Sequence, residues 1–199
     1  MAEAGSPKLK LYSFFISSCS WRVRIALNLK GLKYEYKAVN LLKGEQFSEE
    51  YKKVNPIGYV PALVDDDIVI ADSLAILLYM EEKYPQYALL PKDLQKKAVN
   101  LQVANIVGSS IQPHQLAGQK SIAKNMSADE KLVYIQYYTG QGFAGIRVVA
   151  QEKLLMGCGR TTIMRAAIIR IKLNTEYPTT SNWFHSRRHR NQIPSSIMN

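Results

Sequence analysis

Two hydroxyls and a thiol stand side by side in this chain, at Ser17, Ser18 and Cys19. The residues before them, Lys8 to Tyr12, alternate polar and apolar side chains as a half-buried strand does. The residues after them keep a helical spacing of apolar side chains as far as Gly31, which predicts a helix end. A helix N-terminus carries unpaired backbone N–H groups and the positive end of the helix dipole, so it stabilises a thiolate or a carboxylate. The pattern therefore predicts a nucleophile or an anion-binding site at this turn.

The elements that follow predict the frame around this turn. Residues 34–39 alternate as a strand, and residues 47–54 form a short amphipathic helix pattern that Asn55-Pro56 ends. Residues 60–64 and 68–71 have the pattern of a hairpin around an acidic turn, and Asp72-Ser73 supplies the N-cap of a helix that ends near Lys83. This order of strands and helices is typical of a thioredoxin-like domain.

One proline has a position with chemical meaning. Pro61 stands at the entrance of the third predicted strand, where a missing backbone N–H is tolerated. A cis Val60-Pro61 bond there would turn the amide and carbonyl of Val60 outward, toward a ligand.

Composition limits the class of protein. The chain has 199 residues, of which 47% are hydrophobic, enough for a core in one or two domains. No apolar run approaches the roughly 20 residues that span a bilayer, and none begins the chain as a leader would, so we expect no membrane association. The chain has only 2 cysteines, which argues against a disulfide framework and favours a reducing compartment, the cytoplasm.

The net charge of +10 belongs mostly to the end of the chain. Residues 140–199 hold 9 Lys and Arg but only 2 Asp and Glu. The densest basic patch, residues 187–190, has no interleaved aromatic side chains and no nucleic-acid-binding motif. We therefore predict a solvated basic tail and no nucleic-acid partner.

Several strings carry a family resemblance. They are S-S-C-S-W-R-V-R-I-A at residues 17–26, N-P at 55–56, V-P at 60–61 and D-S-L-A-I at 72–76. Together they resemble a zeta-class glutathione transferase, the class that includes maleylacetoacetate isomerase, over roughly residues 8–115. The first string is specific to this class, whereas Val-Pro and Asp-Ser occur across glutathione transferases.

The resemblance implies an α/β thioredoxin-like N-terminal domain followed by an all-α C-terminal domain. The corresponding divisions are a disordered N-terminus at 1–7, a glutathione-binding domain at 8–85, a linker at 86–92, a helical domain at 93–155 and a divergent basic tail at 156–199. The family pattern stops after Leu155, so we expect the helical domain to be incomplete.

The resemblance also implies a set of site residues, with glutathione as the cofactor and no metal. Ser17 is the expected hydroxyl donor to the glutathione thiol, whose pKa is ordinarily about 8.5, and Ser18 and Cys19 are expected to line the same catalytic pocket. The residues implied to bind the rest of glutathione are Gln46, Val60, Asp72, Ser73 and Gln112. Asp72 and Ser73 are assigned to the γ-glutamyl end.

The implied reaction is the glutathione-dependent cis-trans isomerisation of maleylacetoacetate, a small organic acid, in tyrosine and phenylalanine breakdown. The implied assembly is a homodimer. Two alternatives remain open: an enzyme that conjugates, dehalogenates or reduces other small substrates with the same thiolate, and an inactive glutathione-binding remnant.

Individual residues keep simpler readings. Ser17 is also a helix cap, and Tyr12 is either a phenolic thiol activator or a packing residue. Cys19 is either the nucleophile of a glutaredoxin-like thiol transferase or a small inward-facing side chain. Arg22 and Arg24 either favour a bound anion or form a structural pair on the solvated or interdomain side of the helix.

Two positions depart from the family pattern. Ile16 stands where the pattern has arginine, which removes a positive charge from the pocket mouth. Residues 111–116 resemble the family's I-Q-P-x-Q-N-L but lack the asparagine, and one missing residue rotates everything downstream by about 100° on a helix. Contacts beyond Gln115 are therefore not carried over, and His114 is assigned a structural or rim role.

The end of the chain has another character. Residues 162–173 have the pattern of a basic amphipathic helix, and the last twenty or so residues have no periodicity. A shifted reading frame or a retained intron would produce such a change, which a transcript encoding a family-like C-terminus would decide. His185 and His189 have helical spacing but no third ligand, so we predict no metal site.

Overall fold

A four-stranded sheet forms the centre of the N-terminal part of the chain. The computed structural model describes residues 9–115 and 126–151. The strands are β1 (Leu9–Ser13), β2 (Tyr34–Ala38), β3 (Ala62–Asp65) and β4 (Ile68–Ala71), in the spatial order β2-β1-β3-β4. β2 runs parallel to β1, whereas β3 and β4 are antiparallel to their neighbours. This mixed sheet is the predicted thioredoxin-like arrangement.

Helices cover this sheet and continue beyond it. They are α1 (Ser18–Leu29), α2 (Glu49–Val54), α3 (Ser73–Lys83), α4 (Leu94–Asn105), a π-helical turn (Ile106–Ile111), α5 (Gln112–Gln115) and α6 (Ala128–Gln151). Within the described residues, no helix is long and apolar enough to cross a membrane. The predictions for residues 1–7, for 156–199 and for the helix at 162–173 concern parts of the chain outside the described residues.

The core of the N-terminal part lies between the sheet and helices α1 and α3. Leu11 and Leu63 of the sheet, Leu27 of α1, and Ile76 and Met80 of α3 are all fully buried there. Because alternate residues of β1 point to the same face, Leu9 and Leu11 reach this core, as the alternating pattern predicts.

Most predicted elements are confirmed, with one difference. The predicted helix at 47–54 is divided into a 3₁₀ turn, Glu45–Phe47, and α2. Ser48 is the reason, because its hydroxyl accepts a hydrogen bond from the amide of Tyr51 at 3.1 Å and so begins the α-helix at Glu49.

A separate core holds the helical part together. Val103 of α4, Val107 and Ile111 of the π-helical turn and Ile146 of α6 are buried against one another. The residues between α3 and α4 include the predicted linker, and the domain boundaries stay a proposal. Ser127 and Glu130 exchange hydrogen bonds and so form a capping box at the start of α6.

The start of this connection is held by a buried ion pair. The Lys30 ammonium, at the end of α1, donates to the Glu81 carboxylate at 3.0 Å and to the carbonyls of Tyr84 and Tyr87 at 2.9 Å. The same carboxylate accepts from the amides of Leu89 and Leu90. Burial works against ionisation of Glu81, but these amides and Lys30 outweigh it, so its pKa lies below its ordinary value.

We expect Glu81→Gln to remove about 1–3 kcal/mol from the free energy of unfolding at neutral pH, because charge-assisted bonds are lost and Lys30 stays buried. A carboxylate whose folded pKa is lowered stabilises the fold above its ordinary pKa, 4.5, and loses that contribution as pH falls through the folded pKa. Urea unfolding across this range should therefore show a shallower acid loss in the variant.

Glu82→Gln is the matched control. Glu82 is exposed and stands 3.8 Å from the Lys97 ammonium, so its replacement should change stability by about 0.5 kcal/mol or less. Equal effects of the two substitutions would contradict the role given to Glu81.

A second prediction concerns the contact of α6 with Ile111. A Cβ at Gly142 would overlap the buried Ile111 side chain, whereas one at Gly140 would meet nothing within 4 Å. Gly142→Ala should therefore destabilise the chain by about 1–3 kcal/mol and Gly140→Ala should stabilise it by up to about 1 kcal/mol, as measured by thermal unfolding. The same sign for both would show that α6 does not pack as described.

Candidate active site

The turn before α1 is built by hydrogen bonds among its own residues. The Ser17 amide donates to the Phe14 carbonyl at 3.0 Å, and the Ser17 hydroxyl accepts from the Ser20 amide at 3.2 Å. Ser17 is thus the N-cap of α1, which is the simpler of the two roles predicted for it. Accepting this bond leaves the O–H proton unused, since no described residue receives it. The capping hydroxyl can still act as a donor.

The next two predicted residues meet a side chain from the helical part. Gln112, the first residue of α5, places its amide nitrogen 2.7 Å from the Ser18 hydroxyl oxygen and 2.7 Å from the Cys19 sulfur. Ser18 is buried and Cys19 is partly buried. Three residues that the sequence assigned to one pocket are therefore neighbours, although they come from distant parts of the chain.

Gln112, which makes these contacts, comes directly after the π-helical turn. A π-helix bonds each amide one residue further back than an α-helix does, so it holds an extra residue in its turn. The sequence predicts only a rotation of the residues after Gln115, where the asparagine is missing. It does not predict this turn. Residues 106–111, I-V-G-S-S-I, carry no sequence signal for it.

Arg22 is the residue that sequence reasoning undervalues. It is only 5% exposed, and it donates from Nη2 to the Gln112 Oε1 at 2.7 Å and from Nη1 to the Ser73 Oγ at 3.2 Å. Arg22 therefore lies on the side of α1 that faces the start of α3 and the helical part. The signal was present in the spacing, since Ser18, Arg22 and Ala26 fall on one helix face.

The start of α3 supplies the other predicted pair. The Asp72 side chain caps the helix, accepting from the amides of Leu74 and Ala75 at 2.9 and 3.0 Å, and its φ is +80°. Ser73 is buried at the first helical position. One oxygen of Asp72 therefore serves its own helix, and its other oxygen has no hydrogen bond from the described residues.

Gln46 and Val60 border the loop before β3. The Val60-Pro61 bond is cis, and no hydrogen bond from the described residues uses the amide or carbonyl of Val60. The Gln46 side-chain oxygen is buried without a partner. Buried polar groups without partners are costly, so these two residues have hydrogen-bonding capacity that a ligand can use.

The loop before Val60 is fixed from α2. The Tyr51 hydroxyl donates to the Tyr59 carbonyl at 2.6 Å, and the Asn55 amide donates to the same oxygen at 2.8 Å. Burial raises the pKa of Tyr51 to about 12, so this phenol remains a donor at neutral pH. The Gly58 backbone, with φ +72°, lies so close to the Gln46 carbonyl that a Cβ there would come within 2.8 Å.

The remaining candidates have packing roles. The Tyr12 ring lies 5.7 Å from the Tyr51 ring, and Ile16 packs with the same cluster. His114 shares a 2.9 Å hydrogen bond with the Tyr134 hydroxyl and stacks on Tyr138 with ring centres 4.1 Å apart. Over residues 9–115 and 126–151, no three His, Cys, Asp or Glu side chains come together as a metal site would need. The pair at 185 and 189 lies outside the described residues.

Comparison with known proteins identifies the family. The family model "Glutathione S-transferase, N-terminal domain" matches residues 11–88. A "Glutathione S-transferase zeta class" of Euphorbia esula is 61% identical over 156 residues, which span 78% of this chain and 67% of that protein. A "Maleylacetoacetate isomerase" of Rattus norvegicus is 45% identical over 152 residues, or 75% of this chain and 68% of that one.

Solved structures agree with these relatives. The crystal structure of maleylacetoacetate isomerase from Anaeromyxobacter dehalogenans 2CP-1, with bound GSH in the active site, superposes with a TM-score of 0.72 at 33% identity. The superposition covers 86% of this chain and 82% of that chain. With its thioredoxin-like sheet, its Ser-Ser-Cys helix start and these relatives, the chain belongs to the zeta class of glutathione transferases.

Proposed function

We propose that this chain is an enzyme that isomerises maleylacetoacetate to fumarylacetoacetate with glutathione as cofactor. The observation that carries the proposal is the start of α1, where Ser17 caps the helix and the Gln112 amide contacts Ser18 and Cys19. The names of the relatives support the substrate, because a thiol site alone does not select one. No described residue favours conjugation, dehalogenation, peroxide reduction or an inactive remnant over isomerisation.

The residues fit glutathione because their unused hydrogen-bonding groups match its parts. The free amide and carbonyl of Val60 and the orphaned Gln46 oxygen suit its peptide groups. When bound, glutathione would supply a thiolate nucleophile for reversible addition to the cis double bond, so that the bond is single, and free to rotate, until the addition is reversed. Every proton and electron of the cofactor is returned in this cycle, so no other reactant is needed.

At the thiol end, the chain stabilises negative charge on sulfur. The Ser17 O–H donates to the thiolate, and the N-terminal amides of α1 add their positive dipole there. The Gln112 amide holds Ser18 and Cys19 in place. We propose no nucleophilic role for Cys19, because the chain has no second cysteine two or three residues away, as a C-x-x-C thiol transferase has.

At the other end, Ser73 and Asp72 hold the γ-glutamyl group. The Ser73 hydroxyl, at the positive end of α3, suits a carboxylate, and the free oxygen of Asp72 suits an ammonium. The negative and the positive charge of the γ-glutamyl end are thus bound by two adjacent residues, Ser73 and Asp72.

The finer assignments rest on the sequence and the family. We propose a homodimer. The exposed side chains of Phe47, Ile57 and Tyr59, beside the loop that holds Val60, offer apolar surface for it. Light scattering would measure the mass of this dimer. We also propose a cytoplasmic place in tyrosine and phenylalanine breakdown.

Ile16 replaces an arginine of the family pattern, so we expect weaker attraction of the anionic substrate.

We expect Ser17→Ala to lower glutathione-dependent isomerisation of maleylacetone by about 10²-fold or more, because the donor to the thiolate is lost. Ser17→Thr keeps a capping hydroxyl and should keep most of the activity. Cys19→Ala should retain turnover, since the reacting sulfur belongs to glutathione. The measurement is the initial rate with and without glutathione.

Ser127→Ala is the control for the lost cap. Ser127 caps α6 through a 3.3 Å bond to the Glu130 amide, far from Ser17 in sequence, and its loss should cost about 1 kcal/mol of stability without reducing the rate. If Ser17→Ala stays active while Cys19→Ala is dead, the essential side chain is Cys19 and the role given to Ser17 is wrong. A folded chain that binds glutathione but never isomerises would refute the proposed reaction.

A further inference from the structure

We infer that Arg22 is a positioning residue that points one hydrogen-bond donor at each end of the glutathione site. It acts through Ser73 at the γ-glutamyl end and through Gln112 at the thiol end. The inference rests on the proposed glutathione site. It adds a role for a residue that need not touch the ligand.

Arg22 stands where three helices meet. Its guanidinium extends from α1 and binds the first residue of α3 and the first residue of α5. The Gln112 amide then continues to Ser18 and Cys19, one turn before Arg22 on α1. A single chain of hydrogen bonds therefore runs from the start of α3, through Arg22, to the start of α1.

The direction of these bonds is forced by the guanidinium. It carries N–H donors and no acceptor, so both of its partners must present oxygen to it. Ser73 accepts with its Oγ, and its own proton must therefore point to another group. Gln112 accepts with Oε1, so its NH₂ group is turned to the other side, toward Ser18 and Cys19. A residue without this donor-only character would leave both orientations undetermined.

The charge of Arg22 favours an anion at Ser73. The side chain is buried, its Nε has no partner, and no carboxylate among the described residues forms an ion pair with it. A buried cation without an anion is costly, so a negative ligand group nearby regains part of that cost. The carboxylate of the γ-glutamyl group, bound by the Ser73 O–H, has the required charge.

The test measures how strongly the site prefers that carboxylate. Titration calorimetry gives the Kd of glutathione and the Kd of an analogue in which the γ-glutamyl α-carboxylate is a primary amide. A hydrogen bond to a charged group corresponds to a preference of about tenfold or more, which we expect of the unaltered chain. In Arg22→Met the preference should fall below about threefold. Arg22→Lys should not restore it fully, because a single ammonium cannot hold Ser73 and Gln112 in the same fork.

A double-mutant cycle separates positioning from a general loss of structure. Ser73→Ala alone should lower the preference, and adding Arg22→Met to it should change the preference by less than about twofold, because Arg22 acts through Ser73. Gln112→Glu provides a second route if Arg22→Met fails to fold. It keeps Arg22 but pairs its charge with a carboxylate, so the preference for an anionic ligand should fall as well.

Arg24→Met is the matched control. Arg24 is two residues away on the same helix, but its guanidinium donates to the Phe15 carbonyl at 3.1 Å and lies 6.0 Å from the Tyr36 ring centre. Its replacement should leave the preference unchanged.

Three results would overturn the inference: an unchanged preference in folded Arg22→Met, effects of Arg22→Met and Ser73→Ala that multiply, or an equal loss in Arg24→Met. Binding is measured without maleylacetone, so the two proposals can fail separately. A chain that prefers the carboxylate but does not isomerise contradicts only the reaction. A chain that isomerises with an unmoved preference in Arg22→Met contradicts only the role of Arg22.

Discussion

The buried Lys30–Glu81 pair decides how the helical part is attached to the thioredoxin-like part. Its two members come from the ends of the two helices that cover the sheet, and together they bind the backbone at Tyr84, Tyr87, Leu89 and Leu90. The chain therefore leaves α3 in a defined direction instead of as a loose tether. The contacts of Gln112 with Ser18 and Cys19 require α4 to begin at the position that this segment fixes.

The polar groups of the candidate site are concentrated at helix beginnings. α1, α3 and α5 all present their first residues to the same region. Ser17 and Asp72 cap two of these helices with one lone pair or one oxygen each, and this leaves a hydroxyl proton and a carboxylate oxygen for other partners. The same side chain can thus stabilise the fold with one of its atoms and face a ligand with another. Destabilisation and loss of binding will be mixed in any variant that removes the whole group.

The sequence predicts best where period and capping agree. The strands around Leu11 and Leu63 and the cap at Asp72 follow from alternation and cap chemistry. The sequence leaves Arg22 on either the solvated or the interdomain side of α1, and its partners could not be predicted, because Ser73 and Gln112 are 51 and 90 residues away. The 3₁₀ turn at Glu45–Phe47 and the π-helical turn could not be predicted from the sequence either, because such short irregular turns depend on the packing around them.

The π-helical turn at Ile106–Ile111 also bears on how this helix tolerates changes of length. A π-turn holds one residue more than an α-turn, so deleting one residue inside it yields ordinary α-geometry without moving either end far. A deletion in α4 itself has no such slack and would swing Gln112 by about 100° about the helix axis. Single-residue gaps between relatives in this helix should therefore gather at residues 106–111, while the spacing on either side stays constant.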